Sequence, residues 1–211
     1  LDLDGNTLTL ARFDLKQGQL TVENGKVDCA GQAFNVYTAE SSNSNVDYTK
    51  LVIAEDAVID AAYAICLFPA SSDKAGYNSS IEVYGTIESG GIFVSGNLGN
   101  DEASANAMTA SRKIPTIHIH KGAVVNASTE AQGISMNGLA NVTVDGGTVT
   151  GNEAIGVKRG TLIVNGGSFR STGEKVDPTE ANRDGTEATG ATISITSTYN
   201  SAGTIHVQTN G

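Results

Sequence analysis

The chain has 211 residues, a formal net charge of −10 and 17% charged residues, below the usual level of about a quarter. Binding to nucleic acid needs phosphates neutralised by clustered Lys and Arg, so that partner class is excluded, and no run approaches the ~20 apolar residues that span a membrane. The 25 glycines, three prolines and absence of tryptophan leave a surface of hydroxyls and amides, a composition that suits an extracellular or cell-surface β protein.

From its first residue the chain repeats itself. Pairs of aliphatic residues separated by one position occur at Leu1/Leu3, Leu20/Val22, Leu51/Ile53, Ile81/Val83, Ile117/Ile119, Val142/Val144 and Leu162/Val164, with a partial copy at Ile205/Val207. After a short Gly- or Asn-rich turn comes one further apolar residue: Leu8, Val27, Val58, Ile87, Val124, Val149 and Phe169. A second pair closes each copy, at Phe13/Leu15, Phe34/Val36, Ile65/Leu67, Ile92/Val94, Ile134/Met136, Ile155/Val157 and Ile193/Ile195. A spacing of two is strand spacing, because alternate side chains share a face. Helical periodicity is absent. Each copy therefore reads as strand, turn, short strand, corner and strand. One copy cannot bury its inward row alone, whereas stacked copies bury all the rows together, which predicts an all-β solenoid.

The copies differ in length, and the variation falls in Ser-, Asn-, Ala- and Asp-rich insertions. Three of them, 38–50, 69–80 and 96–116, follow the second pair and are expected at one corner on successive coils. A fourth, 171–191, is expected at another. The turns at 4–6, 23–25, 145–147 and 165–167 occupy equivalent places and use Gly and Asn, which tolerate the positive φ of a sharp corner. A Gly147→Val change is expected to strain that corner rather than remove a ligand contact. Cys29 and Cys66 lie at different places in the repeat and read as isolated thiols. The continuous repeat argues for one domain over 1–211. Both ends fall within the repeat, so flanking domains or a partner chain are expected against the exposed strand edges.

The stretch Leu1-Asp2-Leu3-Asp4-Gly5-Asn6-Thr7-Leu8-Thr9-Leu10 resembles the opening coil of bacterial right-handed parallel β-helix domains of the pectate-lyase-like superfold. Val142-Thr143-Val144-Asp145-Gly146-Gly147-Thr148-Val149 and Leu162-Ile163-Val164-Asn165-Gly166-Gly167-Ser168-Phe169 are similar to their recurring coil unit. The resemblance covers essentially the whole chain and implies a single-stranded right-handed parallel β-helix of about seven coils. That superfold holds polysaccharide lyases, hydrolases, esterases, adhesins and surface modules, so the resemblance does not carry a chemistry with it.

In a parallel stack, equivalent residues lie about 4.8 Å apart in columns. The column between the first pair reads Asp2, Thr21, Val52, Glu82, His118, Thr143, Ile163 and His206. The column just after it reads Asp4, Glu23, Ala54, Tyr84, His120, Asp145, Asn165 and Gln208. Glu82, His118, His120 and Asp145 thus fall together on three successive coils. A carboxylate beside an imidazole is the arrangement for general acid–base catalysis, and His118 with His120 could ligate a divalent cation, the one cofactor this pattern leaves open. Against an enzyme, these columns contain no Arg or Lys for a lyase base. Their only outward acid pair on one coil, Asp2/Asp4, is terminal, and no nucleophile elbow or phosphate loop appears. Tyr84 joins the same face. Tyr37, Tyr48 and Tyr77, with Asp47 and Asp73, are expected to gather near the insertions as a shallow contact surface, and Arg112 sits on the 96–116 insertion that follows Phe93. The favoured reading is a noncatalytic, secreted or cell-surface module that binds glycan or another surface component. The alternatives are a polysaccharide-active enzyme using the histidine patch, and a structural spacer or adhesin stalk.

Overall fold

The computed structural model describes residues 1–37, 48–68, 78–95, 114–158, 160–175, 189–195 and 203–207. Among the described residues every regular element is a β-strand, and they form a 17-stranded parallel sheet, consistent with a β-solenoid. Its strands, numbered in chain order, align in three ladders. The first holds β3 (Gly18–Val22), β5 (Tyr48–Ile53), β7 (Asn78–Val83), β10 (Thr116–Ile119), the opening of β13 (Asn141–Gly151), the opening of β15 (Gly160–Ser171) and β17 (Gly203–Val207). The second holds β1 (Thr7–Thr9), the opening of β4 (Gly25–Tyr37), the opening of β6 (Ala57–Phe68), β8 (Thr86–Ser89), β11 (Val124–Ala127) and the ends of β13 and β15. The third holds β2 (Phe13–Leu15), the ends of β4 and β6, β9 (Ile92–Val94), β12 (Ile134–Met136), β14 (Ile155–Val157) and β16 (Ile193–Ile195).

The register follows the apolar pairs. Leu20, Leu51, Ile81, Ile117, Val142, Leu162 and Ile205 stand opposite one another in turn along the first ladder. Phe13, Phe34, Ile65, Ile92, Ile134, Ile155 and Ile193 do the same along the third. Most of these side chains are fully buried in one hydrophobic cluster, and each aliphatic one contributes roughly 1.5–3 kcal/mol by leaving water. Period two thus selects the strand, and stacking in register buries the selected face.

The second ladder departs from expectation at two coils. Val27 stands opposite Ile59, not Val58, and Ile87 opposite Val125, not Val124. Val58-Ile59 and Val124-Val125 are adjacent apolar pairs, so period two alone leaves their phase open. The flanking alanines decide it: Ala57, Ile59 and Ala61 are buried together, as are Ala123, Val125 and Ala127. The first coil is also out of step. Asp2 bridges to Glu23 rather than standing beside Thr21, because Leu3 N donates to Glu23 O and Glu23 N donates to Leu1 O. The ends of two expected insertions are strand: Tyr48 pairs with Asn78, and Lys50 with Ser80. Asp145 stands opposite Gly166 rather than Asn165, at a register shift.

The corners are tight. Asn24 has φ 54° and Gly25 φ 151°. Gly147 meets its corner by close approach instead. A Cβ placed there would lie 2.7 Å from Ala123 O and 2.9 Å from Ile119 Cγ2, so a valine would collide with the neighbouring coil. Cys29 and Cys66 are both buried and free, and the Cys29 thiol donates to Ala11 O at 3.3 Å.

Candidate functional site

The first ladder brings Glu82, His118 and Thr143 into one outward row, because Glu82 stands opposite His118 and His118 opposite Thr143. The alternation that buries Ile81, Val83, Ile117 and Ile119 turns Glu82 and His118 outward. Tyr84 and His120 follow their strands directly, held by Tyr84 N donating to Ile53 O and His120 N donating to Val83 O. The rings of Tyr84 and His120 stack with centroids 3.8 Å apart and planes 8° apart, and the His118 ring lies 3.8 Å from that of His120.

The imidazoles and carboxylates pair alternately. His120 Nε2 donates to Glu82 Oε2 at 2.7 Å, and His118 Nε2 donates to Asp145 Oδ2 at 2.6 Å. The other ring nitrogen of His118, Nδ1, lies 3.6 Å from the same Glu82 Oε2. Asn165 Nδ2 donates to Asp145 Oδ1 at 2.7 Å. This amide first, and His118 second, hold the Asp145 carboxyl below its usual range. Lys50 Nζ lies 3.9 Å from Glu82 Oε1. Glu82, His118 and His120 are half-buried, and their ligating atoms all lie within 4.8 Å of one another.

All four candidate catalytic residues and Tyr84 therefore converge on one patch. Lys50 belongs to it as well. Its signal is present in the sequence, since Lys50 precedes Val52 by two residues and so shares its outward face, one position ahead of the two columns that carry the histidines. Two members of the expected tyrosine surface, Tyr37 and Tyr48, lie among the described residues, at either end of the 38–47 segment. Tyr48 is exposed on β5, whereas Tyr37, at the end of β4, stacks on Phe68 with centroids 5.0 Å apart. Tyr77, Asp47, Asp73 and Arg112 lie outside the described residues.

A second feature lies at the corners joining the second and third ladders. There a groove of about 670 Å³ is lined by Tyr63, Phe93, Gln32, Gln132, Ser135 and Asn152, among others. Phe93 faces outward between buried Ile92 and Val94. Tyr63 is 51% exposed. Ser135 Oγ and Asn152 Oδ1 are buried and have no hydrogen-bond partner. Sequence reasoning missed this groove, because it is built from corner residues, where period two breaks down. It missed Glu153 too, a carboxylate only 1% exposed. Gln132 Nε2 donates to its Oε1 at 3.0 Å, while Thr189 N and Oγ1 donate to its Oε2 at 2.9 and 2.5 Å.

Compared with known proteins, the chain matches no family model, no curated protein and no solved structure.

Proposed function

We propose that this chain is a noncatalytic module of a secreted or cell-surface bacterial protein, wound as one right-handed parallel β-helix of about seven coils of the pectate-lyase-like type, and that it binds glycan. The observation that carries this reading is the corner groove, which is lined by the exposed Tyr63 and by Ser135 and Asn152, whose Oγ and Oδ1 have no hydrogen-bond partner. A sugar stacks its apolar face on an aromatic ring and meets hydroxyl and amide groups with its own hydroxyls. Buried polar atoms without partners cost free energy that a hydroxyl-bearing ligand recovers. Affinity on such a surface comes from several modest contacts. Folded protein on a glycan array at pH 7 is expected to bind at least one class of polysaccharide, and Tyr63→Ala is expected to weaken that binding about tenfold, or ~1.4 kcal/mol. A blank array overturns the reading.

A second reading, a polysaccharide-active enzyme, is favoured by the hydrogen bonds from His120 to Glu82 and from His118 to Asp145, which pair potential acids and bases. Turnover of an acidic polysaccharide that is lost in His120→Ala would establish it in place of the first.

A further inference from the structure

We propose that Glu82, His118 and His120 form a zinc site on the outward face of the first ladder, with Asp145 and Asn165 as its supporting shell. This stands apart from the glycan reading, which concerns the corner groove.

The donor chemistry selects the ion. Two imidazole nitrogens and one carboxylate oxygen suit Zn²⁺, whereas Ca²⁺ and Mg²⁺ prefer all-oxygen surroundings. Three protein ligands leave one position open to solvent, as in sites that keep a bound water. The geometry is close to what the ion needs. Ligands of a tetrahedral zinc, bonded at roughly 2.0–2.1 Å, stand about 3.3 Å apart. His118 Nδ1 and Glu82 Oε2 are 3.6 Å apart. His120 Nε2 and Glu82 Oε2, at 2.7 Å, share a proton that the metal would displace and release, opening that pair by about half an ångström.

The surroundings point the same way. Assigned from its hydrogen bonds, His118 carries its proton on Nε2, because that nitrogen faces the carboxylate of Asp145 at 2.6 Å. Its Nδ1 then directs a lone pair toward Glu82 Oε2 with no proton between them. Two facing lone pairs repel, and a cation placed between them removes the repulsion. A carboxylate on the far nitrogen of a ligating histidine is the usual supporting partner of a metal site, fixing the tautomer and raising ligand basicity. Asn165 holds Asp145 in turn, and the Tyr84 ring stacked on His120 fixes the plane of the second imidazole. The register of the ladder preorganises the whole set, because Glu82 and His118 stand directly opposite on paired strands.

The test is a calorimetric titration of the chelator-treated chain with Zn²⁺ at pH 7, using circular dichroism to confirm that each variant is folded. The expected result is one equivalent bound by the parent chain, no comparable binding by His120→Ala, and about 10–100-fold weaker binding by Asp145→Asn. If His120→Ala does not fold, Glu82→Gln, which keeps the ring stack, takes its place with the same expected loss. A parent chain that takes up zinc no better than these variants overturns the proposal. The positioning role of Asp145 has its own readout. Nitrogen-15 spectra of the metal-free chain are expected to show His118 protonated at Nε2, and a proton found at Nδ1 instead overturns that role.

Discussion

Asp145 makes one pH-dependent contribution on the outward face. Its carboxyl is held below the ordinary value of 3.8 by the Asn165 amide and by His118. A carboxylate with a depressed folded-state value stabilises the fold above its unfolded value, and that stabilisation disappears as pH falls through the folded one. The melting-temperature difference between the parent chain and Asp145→Asn is therefore expected to be constant above about pH 5 and to shrink from about pH 4 downward. A difference that grows on acidification would contradict the assigned hydrogen bonds. The effect is small, because the Asp145 side chain is 37% exposed and solvent screens it. Cys66 shows the opposite influence. Burial pushes its thiol up to about 11, so it stays protonated at neutral pH and behaves as a small apolar side chain.

At the scale of the strand, period two made most of the inward face readable, and with it the outward columns. Ile81, Val83, Ile117 and Ile119 are buried as the alternation requires, and that alone places Glu82, His118 and His120 on one surface. What could not be read is what alternation does not encode. Val58-Ile59 leaves the phase of its strand open to alternation, and only the small flanking Ala57 and Ala61 decide it. The turn at 145–147 hides a register shift that no spacing announces. Glu153 looks like a surface acid, since its partner Thr189 is 36 residues away. Its carboxylate ties the 189–191 segment to the wall formed by the preceding coils, accepting from Gln132 and from the Thr189 backbone. Glu153→Ala strands these donors, each costing about 1–3 kcal/mol when left unpaired in the interior. Urea unfolding is expected to show a loss of that size, whereas no loss would mean that the buried contacts do not hold in solution.

Across the whole molecule, stability resides in the interfaces between neighbouring coils, because each coil packs chiefly on the one before and the one after. Ile81 is fully buried and stands between Leu51 and Ile117 in the first ladder. Ile81→Ala opens a cavity at two interfaces at once and is expected to cost about 2–5 kcal/mol in denaturant unfolding. A cost well under that range would indicate a loosely packed interior. The stack of rings outside that interior has a further use. The chain has no tryptophan and six tyrosines, so its ultraviolet emission is dominated by phenol rings. One of these, Tyr84, lies flat on the imidazole of His120. A charge or an ion arriving on that imidazole is expected to change the emission of the ring above it, a change that tyrosine fluorescence of the parent chain compared with Tyr84→Phe would read.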